Sequence, residues 1–545
     1  MSKESMLSKY LLKRILGELP YAAEAYWRFV QRGRPLNKKF SLKRLEKSLP
    51  DWCAQARQAQ GAAPGQPKNI LIFATLRYWI EHAALLGVTL SGMGHRVTLA
   101  YLPYPNFRRP AQRFDLRRQN AYAQSVLGRA APLINTQSLL DVRPAAGRSL
   151  TAGLKQALHE VSLRDTQYSL QIEDVEHGDQ QAERLYRLRL ERNLQAAAAL
   201  IGYVQSLPAA QKPDLLLTPN GSILENGAVY QAARSLGIPA VTYEFGEQRG
   251  RIWFAQGSEV MLQQTDALWQ ARRDHPLNES QWEQIRSLYA SRQNARLWEN
   301  FARQWQGQPS QGGEQVRQAL GLDQRPLALL AANVIGDSLT LGRQVFSRNM
   351  TEWLQRTARH FADLPQVQLV VRIHPGERYL KGPSVAEVVR AALPDMPSHI
   401  HLVEAGDPVN TYDLVEIADL GLVYTTTVGM EMAMSGVPVI VGGQTHYRGK
   451  GFTLDPSCWE DQQQFIAGWL ADPQRRMERP EVEQAWNYAY RFFFEYPTPF
   501  PWHLLSFWDE LNEWPVARAL SGEGQQRFGA TLQWLAGEPR DWAAN

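Results

Sequence analysis

Three groups of residues in this chain have types and spacings suited to chemistry on a phosphate ester or a hydroxyl. The first is His374-Pro375, with Arg372 and Arg378 beside it. An imidazole donates a hydrogen bond to a phosphate oxygen, and a nearby guanidinium adds charge. The second is Thr425-Thr426-Thr427, running into Val428-Gly429-Met430-Glu431. Hydroxyls that lead into a helix start offer unpaired N–H groups, side-chain donors and the helix dipole to a mono- or diphosphate. Glu431 lies about one turn further on, where a carboxylate could accept from a ribose diol; its plainer role is to complement the dipole. The third group is Glu244 and Glu247, followed by Arg249 and Arg251. A carboxylate at a cleft edge can take the proton from an acceptor hydroxyl. The plainer alternative is a surface ion-pair cluster, which contributes little. Glu225, two helical turns or fewer from Asn220, could share that site. Asn333 and Asp337 are further phosphate-side candidates, against the plainer reading of a simple strand-to-helix turn. His446, Arg448 and Lys450 add positive charge after the following strand.

These residues need elements to hold them. Leu369–Ile373, Leu420–Tyr424 and Val437–Val441 are short, mostly apolar and rich in aliphatic or β-branched residues. Such runs suit strands buried on both faces of a parallel sheet. Val428–Ser435 reads as a helix closed by Gly436, with Pro438 just beyond. His374 and the threonine run therefore fall at the C-terminal ends of strands, the edge where open α/β sheets bind ligands. Leu327–Asn333 reads as the first strand of the same unit, with a helix near Asn349–His360. In the first half, Asn69–Thr75, Arg96–Leu102, Asp214–Thr218 and Ala240–Phe245 read as strands, with helices near Trp79–Ser91 and Ile223–Leu236. The Gly92-Met93-Gly94 turn follows a helix instead of opening one, so it is a C-cap and not a dinucleotide fingerprint.

Length and composition bound the rest. The 545 residues exceed what one core holds, so two α/β domains are expected. The net charge of +5 is too weak to imply nucleic acid. Two cysteines, Cys53 and Cys458, exclude a disulfide framework and point to a reducing compartment. No apolar run is long enough to span a bilayer, and the N-terminus lacks a signal peptide's apolar core, so a cytoplasmic protein is expected. The organisation expected is a basic helical extension and linker over 1–68, an acceptor domain over 69–310 with a helical insertion, a nucleotide domain over 311–480, and C-terminal helices over 481–545 that cross back to the first domain. Residues 1–50 hold 12 Lys/Arg against 4 Glu. Leu7, Tyr10, Leu11, Ile15 and Leu16 fall near helical spacing there. A helix packing its apolar stripe on the body is the favoured reading. The other is peripheral contact with the inner, anionic membrane surface.

No Asp-x-Asp pair occurs anywhere, and there is no phosphate loop with Gly-Lys-Ser/Thr and no zinc spacing. This favours phosphate handling by dipole, histidine and hydroxyl groups, with no metal.

The second half resembles the bacterial capsule polysaccharide biosynthesis glycosyltransferases, which are of the two-Rossmann-domain GT-B type and related to Kdo- and sialyl-transferases. The resemblance rests on Arg372–Glu377, Tyr424–Glu431, the Gly436-Val437-Pro438-Val439-Ile440 strand and Gly449–Thr453. It covers roughly residues 320–500. It implies two Rossmann-like doubly wound domains facing across a cleft. It implies a nucleotide-sugar co-substrate, often a CMP-sugar, and no other cofactor. His374, Pro375 and Thr425–Thr427 would contact the nucleotide phosphate and Glu431 would face the ribose. The acceptor would be a capsular or other surface polysaccharide or glycolipid. The family's acceptor-side base has no motif to carry over here, which leaves Glu244 and Glu247 as alternatives. Two rival functions share the features: a CDP-polyol-dependent polyol-phosphate transferase, and a non-catalytic partner in polysaccharide assembly.

Overall fold

The computed structural model describes residues 3–59, 66–131, 133–142, 150–175, 178–298, 301, 307–379 and 382–543, with side chains from Tyr10 onward. Residues 60–65, in the linker expected before residue 69, lie outside the described residues. The chain forms two compact units. The first comprises Met1–Thr166, Gly178–Met261 and Thr498–Arg540; the second comprises Gln167–His177, Leu262–Pro497 and Asp541–Asn545.

The sheet of the first unit is built on β1 (Asn69–Thr75), β2 (Arg96–Leu102), β3 (Asn135–Ser138), β4 (Leu215–Pro219), β5 (Ala240–Glu244) and β6 (Arg251–Gln256). Its order is β6-β5-β4-β1-β2-β3. β1 to β5 are parallel, with Asn69 opposite Arg96 and Ile70 opposite Leu215. Apart from its first residue β1 is wholly buried, as a strand covered on both faces requires. β6 runs antiparallel to β5, and the two-residue strand Thr498–Pro499 continues the edge beyond it. Phe500, Trp502, Phe528 and Leu532 then fill the first unit's core beside Ile72 and Leu217.

The second sheet contains β7 (Leu327–Ala331), β8 (Gln368–Arg372), β9 (Ile400–Val403), β10 (Leu420–Val423) and β11 (Val439–Val441), all parallel. Its order is β11-β10-β7-β8-β9. In both sheets the first strand lies between the second and the fourth, so the winding reverses there. Two doubly wound Rossmann-like units in one chain are the architecture of the GT-B class. In such a sheet the crevice for a ligand lies beyond the C-terminal ends of the strands at the reversal.

The main segment of the second unit begins at Leu262, earlier than the residue 311 expected, and Gln167–His177 also belongs to that unit. Asn410 Nδ2 donates to the carbonyls of Gln293 and Gln308 at 2.7 and 2.9 Å, and Asp413 accepts the N–H groups of Gln311 and Gly312. These bonds tie the polar helical stretch after Leu262 to the second sheet's helices. The last part of the chain divides at Thr498, and not at 481.

Candidate active site

In the second unit the winding reverses between β7 and β10. Asn333, two residues past β7, is buried, and its Oδ1 accepts the N–H of Thr425, two residues past β10, at 3.0 Å. Next to β7 on the other side, β8 ends at Arg372 and delivers His374. His374 Nδ1 accepts the N–H of Gly376 at 3.0 Å. With Nδ1 accepting, the neutral ring carries its proton on Nε2, where it can donate. Burial pushes His374 below the usual histidine range, with Asp337 opposing, so the ring is neutral at pH 7. Gly376 is needed for this: a Cβ there would stand 2.9 Å from His374 Nδ1. Pro375 opens the short 3-10 turn that places Gly376.

Thr425 and Thr426 are buried, and Thr427 is partly exposed. Thr425 Oγ1 makes no hydrogen bond among the described residues. Thr427 precedes the helix Val428–Met434 without capping it through its side chain. The helix has seven residues, so the dipole expected from sequence is that of two turns only. The threonine backbone is held by a segment that sequence reasoning missed, Gly442–Tyr447. Gly443 N–H donates to Tyr424 O at 3.0 Å, Thr445 Oγ1 to Thr425 O at 3.3 Å, and Tyr447 OH to Thr426 O at 2.6 Å. The signal was present as a Gly-Gly pair directly after an apolar strand, a pattern that marks close backbone approach. Asp337 sits in the turn after β7, where its Oδ1 accepts from Ser338.

Two expected site residues are committed elsewhere. Arg372 is 3% exposed and spends its guanidinium on Glu404 O (2.7 Å), Val409 O (3.0 Å) and Thr411 Oγ1 (3.4 Å). It fastens the segment after β9 to β8 and is not a phosphate ligand. Desolvation lowers it to about 10. Glu431 is 2% exposed, with Arg292 on Oε1 and Tyr412 OH on Oε2 at 3.1 Å. Both carboxylate oxygens are engaged inside the unit, so it braces the helix and does not face a ribose. His446, Arg448 and Lys450 also turn inward: His446 bonds Tyr488 OH, Arg448 bonds two backbone carbonyls, and Lys450 pairs with Asp266.

In the first unit the winding reverses between β1 and β4. Three non-glycine residues with left-handed φ flank this point: Leu76 (65°) after β1, and Asn220 (59°) and Leu224 (57°) after β4. Such backbone costs about 1–3 kcal/mol per residue and collects at functional sites. Gly221, also at positive φ, leaves no room for a Cβ, which would stand 2.5 Å from Thr242 Cγ2. Glu244, at the end of β5, receives Asn220 Nδ2–H on Oε2 at 3.1 Å and the Phe245 N–H on Oε1 at 3.0 Å. Burial outweighs these bonds and raises its carboxyl to about 6. Glu247 lies half-buried in the β5–β6 connector, and Arg249 is exposed. Glu225 is not beside Glu244's carboxyl: it is buried against Arg189 at 2.9 Å, which also binds Asp165 at 3.0 Å. Glu244 thus combines a held geometry with a raised pKa.

No family model matches the chain, and no curated protein matches it in sequence. Among solved structures it is similar to the KpsC beta Kdo 2,4 transferase of Thermosulfurimonas dismutans, at 15% identity and TM-score 0.33, covering 53% of this chain and 83% of that one. It is also similar to the UDP-GlcNAc 2-epimerase of Neisseria meningitidis bound to UDP-GlcNAc (12%, TM-score 0.26, 78% and 99%). A third is MurG of Acinetobacter baumannii (12%, TM-score 0.24, 82% and 100%). These likenesses are partial, and the fold class stands on the two strand orders.

Proposed function

We propose that the chain is a glycosyltransferase that moves a sugar from a nucleotide-sugar, in the first instance a CMP-sugar, to a capsular or other surface saccharide or glycolipid acceptor. No metal and no cofactor beyond the co-substrate take part in the proposal. The observation that supports it most is the Asn333–Thr425 bond at the winding reversal of the second sheet, with His374 just past the end of the adjoining strand β8. The nucleotide phosphate would lie there, with His374 Nε2–H and Thr425 Oγ1–H donating to the oxygens that gain charge as the glycosidic bond to phosphate breaks. Glu244 in the first unit is the proposed base. It takes the acceptor hydroxyl's proton as that oxygen bonds to the sugar's anomeric carbon.

The test is thermal stabilisation of the purified chain by CMP, CDP, UDP, GDP and their sugar or polyol conjugates, repeated with His374→Ala. A ligand at about a hundred times its Kd adds roughly 2.7 kcal/mol. One sugar nucleotide should stabilise the wild type and not the variant. Stabilisation by a CDP-polyol alone would move the reading to a polyol-phosphate transferase, and none at all would leave assembly without catalysis.

A further inference from the structure

The N-terminal segment is mounted with its polarity reversed. The helix Lys3–Glu18, the short helix Ala22–Ala25 and the π-helix Tyr26–Val30 lie on the Arg113–Leu127 helix of the same unit. Polar groups do much of the fastening. Lys13 Nζ donates to Asp115 at 2.8 Å. Arg117 donates to the carbonyls of Gly17 and Leu19 at 2.9 and 2.7 Å and grips Glu24 with two further nitrogens. Gly17 comes so close that a Cβ would stand 2.9 Å from Phe114 N.

Much of the apolar surface faces outward, although Leu16 and Trp27 are half-buried and Ala23 is buried. Tyr10, Leu11 and Ile15, expected from sequence to pack on the body, are exposed, as are Leu12 and Leu19. Tyr21 and Phe29 stand 80% and 75% exposed at the far end. Nine of the 17 exposed large apolar side chains among the described residues fall between Tyr10 and Val30. A density this high over so short a segment marks an interaction surface.

The charge around it selects the partner. Arg14, Arg28, Arg32, Arg34, Lys38 and Lys39 are exposed and carry no ion pair among the described residues. The two acids between residues 10 and 40, Glu18 and Glu24, are already paired with Arg113 and Arg117. A second copy of this face would bring cations against cations. An anionic lipid surface accepts the apolar side chains below its headgroups and pairs the cations with its phosphates. We infer that residues 10–39 dock the chain on an anionic lipid bilayer. This stands independently of the glycosyltransferase reading.

The test is flotation of the full chain with phosphatidylcholine vesicles, with and without phosphatidylglycerol. The chain should float with the anionic vesicles and not with the neutral ones. Binding should fall at least about tenfold when salt is raised to about 1 M, where charges are screened within about 3 Å. Ile15→Asp with Phe29→Asp should abolish flotation. Both positions are exposed, and an unchanged circular dichroism spectrum checks that the variant is folded. Arg28→Gln, Arg32→Gln and Arg34→Gln together should weaken flotation. The inference is overturned if the chain stays at the bottom of the gradient with anionic vesicles, or floats equally with neutral ones. It is also overturned if the aspartate variant floats as the wild type does, or if sedimentation velocity shows a dimer that this variant turns into a monomer.

Discussion

Asn333 and Thr425 are 92 residues apart and share one hydrogen bond, Thr425 N–H to Asn333 Oδ1 at 3.0 Å, across the point where the second sheet reverses its winding. The bond joins the ends of β7 and β10, so both sides of the crevice depend on one side-chain amide. Asn333→Ala leaves a buried N–H without its partner and should cost about 1–3 kcal/mol in urea denaturation. Asn333→Asp keeps the acceptor and should recover most of that. Stabilisation by nucleotide should be lost with the alanine.

Gly376→Ala should act on His374 while leaving its side chain chemically intact, since the added methyl would stand 2.9 Å from Nδ1. The added methyl competes with the Nδ1 contact that fixes the proton on Nε2. The expected result is a drop of about tenfold in nucleotide affinity, the worth of one hydrogen bond of about 1.4 kcal/mol, with the fold unchanged. Titration calorimetry beside circular dichroism decides it.

Glu244 gives a pH signature. Its folded pKa of about 6 lies above the ordinary carboxyl value of 4.5, so the folded chain holds the proton more tightly than the unfolded one. A raised carboxyl favours the fold at low pH, and that advantage is lost as pH rises from the unfolded value through about 6. Comparing wild type with Glu244→Gln, the stability difference should shift by about 2 kcal/mol toward the glutamine variant between pH 4.5 and 7. As a base, Glu244 must be ionised, so transfer should fall off below about pH 6 in the wild type and be low at all pH in the variant.

The buried pair of Arg292 and Glu431 separates bracing from ligand contact. Glu431→Ala removes the carboxylate partner of a buried guanidinium and should cost about 3–5 kcal/mol. Glu431→Gln keeps an acceptor for Arg292 and should cost less. Nucleotide binding by the glutamine variant should match the wild type, because the side chain is turned into the unit. A large loss of affinity with retained stability would restore its role at the ribose.

The sequence carried the central strands well because burial on both faces leaves a continuous apolar run. Asn69–Thr75 and Arg96–Leu102 match to the residue. Asn135–Ser138 escaped because an edge strand needs no apolar run, and Arg251–Gln256 because its buried residues alternate. The placement of Asn333, His374 and Thr425 just after strands was legible in the sequence. Arg372 and Glu431 were misread because type and spacing do not say which way a side chain turns. That is set by partners distant in sequence, Glu404 and Val409 for one, Arg292 and Tyr412 for the other. The strained backbone at Leu76 and Leu224 left no trace, since leucine is not a residue that advertises a left-handed φ.

The segment Thr498–Arg540 supplies core to the first unit, although the main segment of the second unit, Leu262–Pro497, is encoded in between. On the ribosome this imposes a waiting time. At about 5–20 residues per second, roughly 10 to 50 s pass between synthesis of Met261 and arrival of Thr498. Through that interval β6 has no neighbour beyond it, and the pockets for Phe500, Trp502 and Phe528 stand open to water. The nascent first unit is therefore a natural client for a chaperone. A gene fragment ending at Pro497 should give insoluble protein even though every strand from β1 to β11 is present.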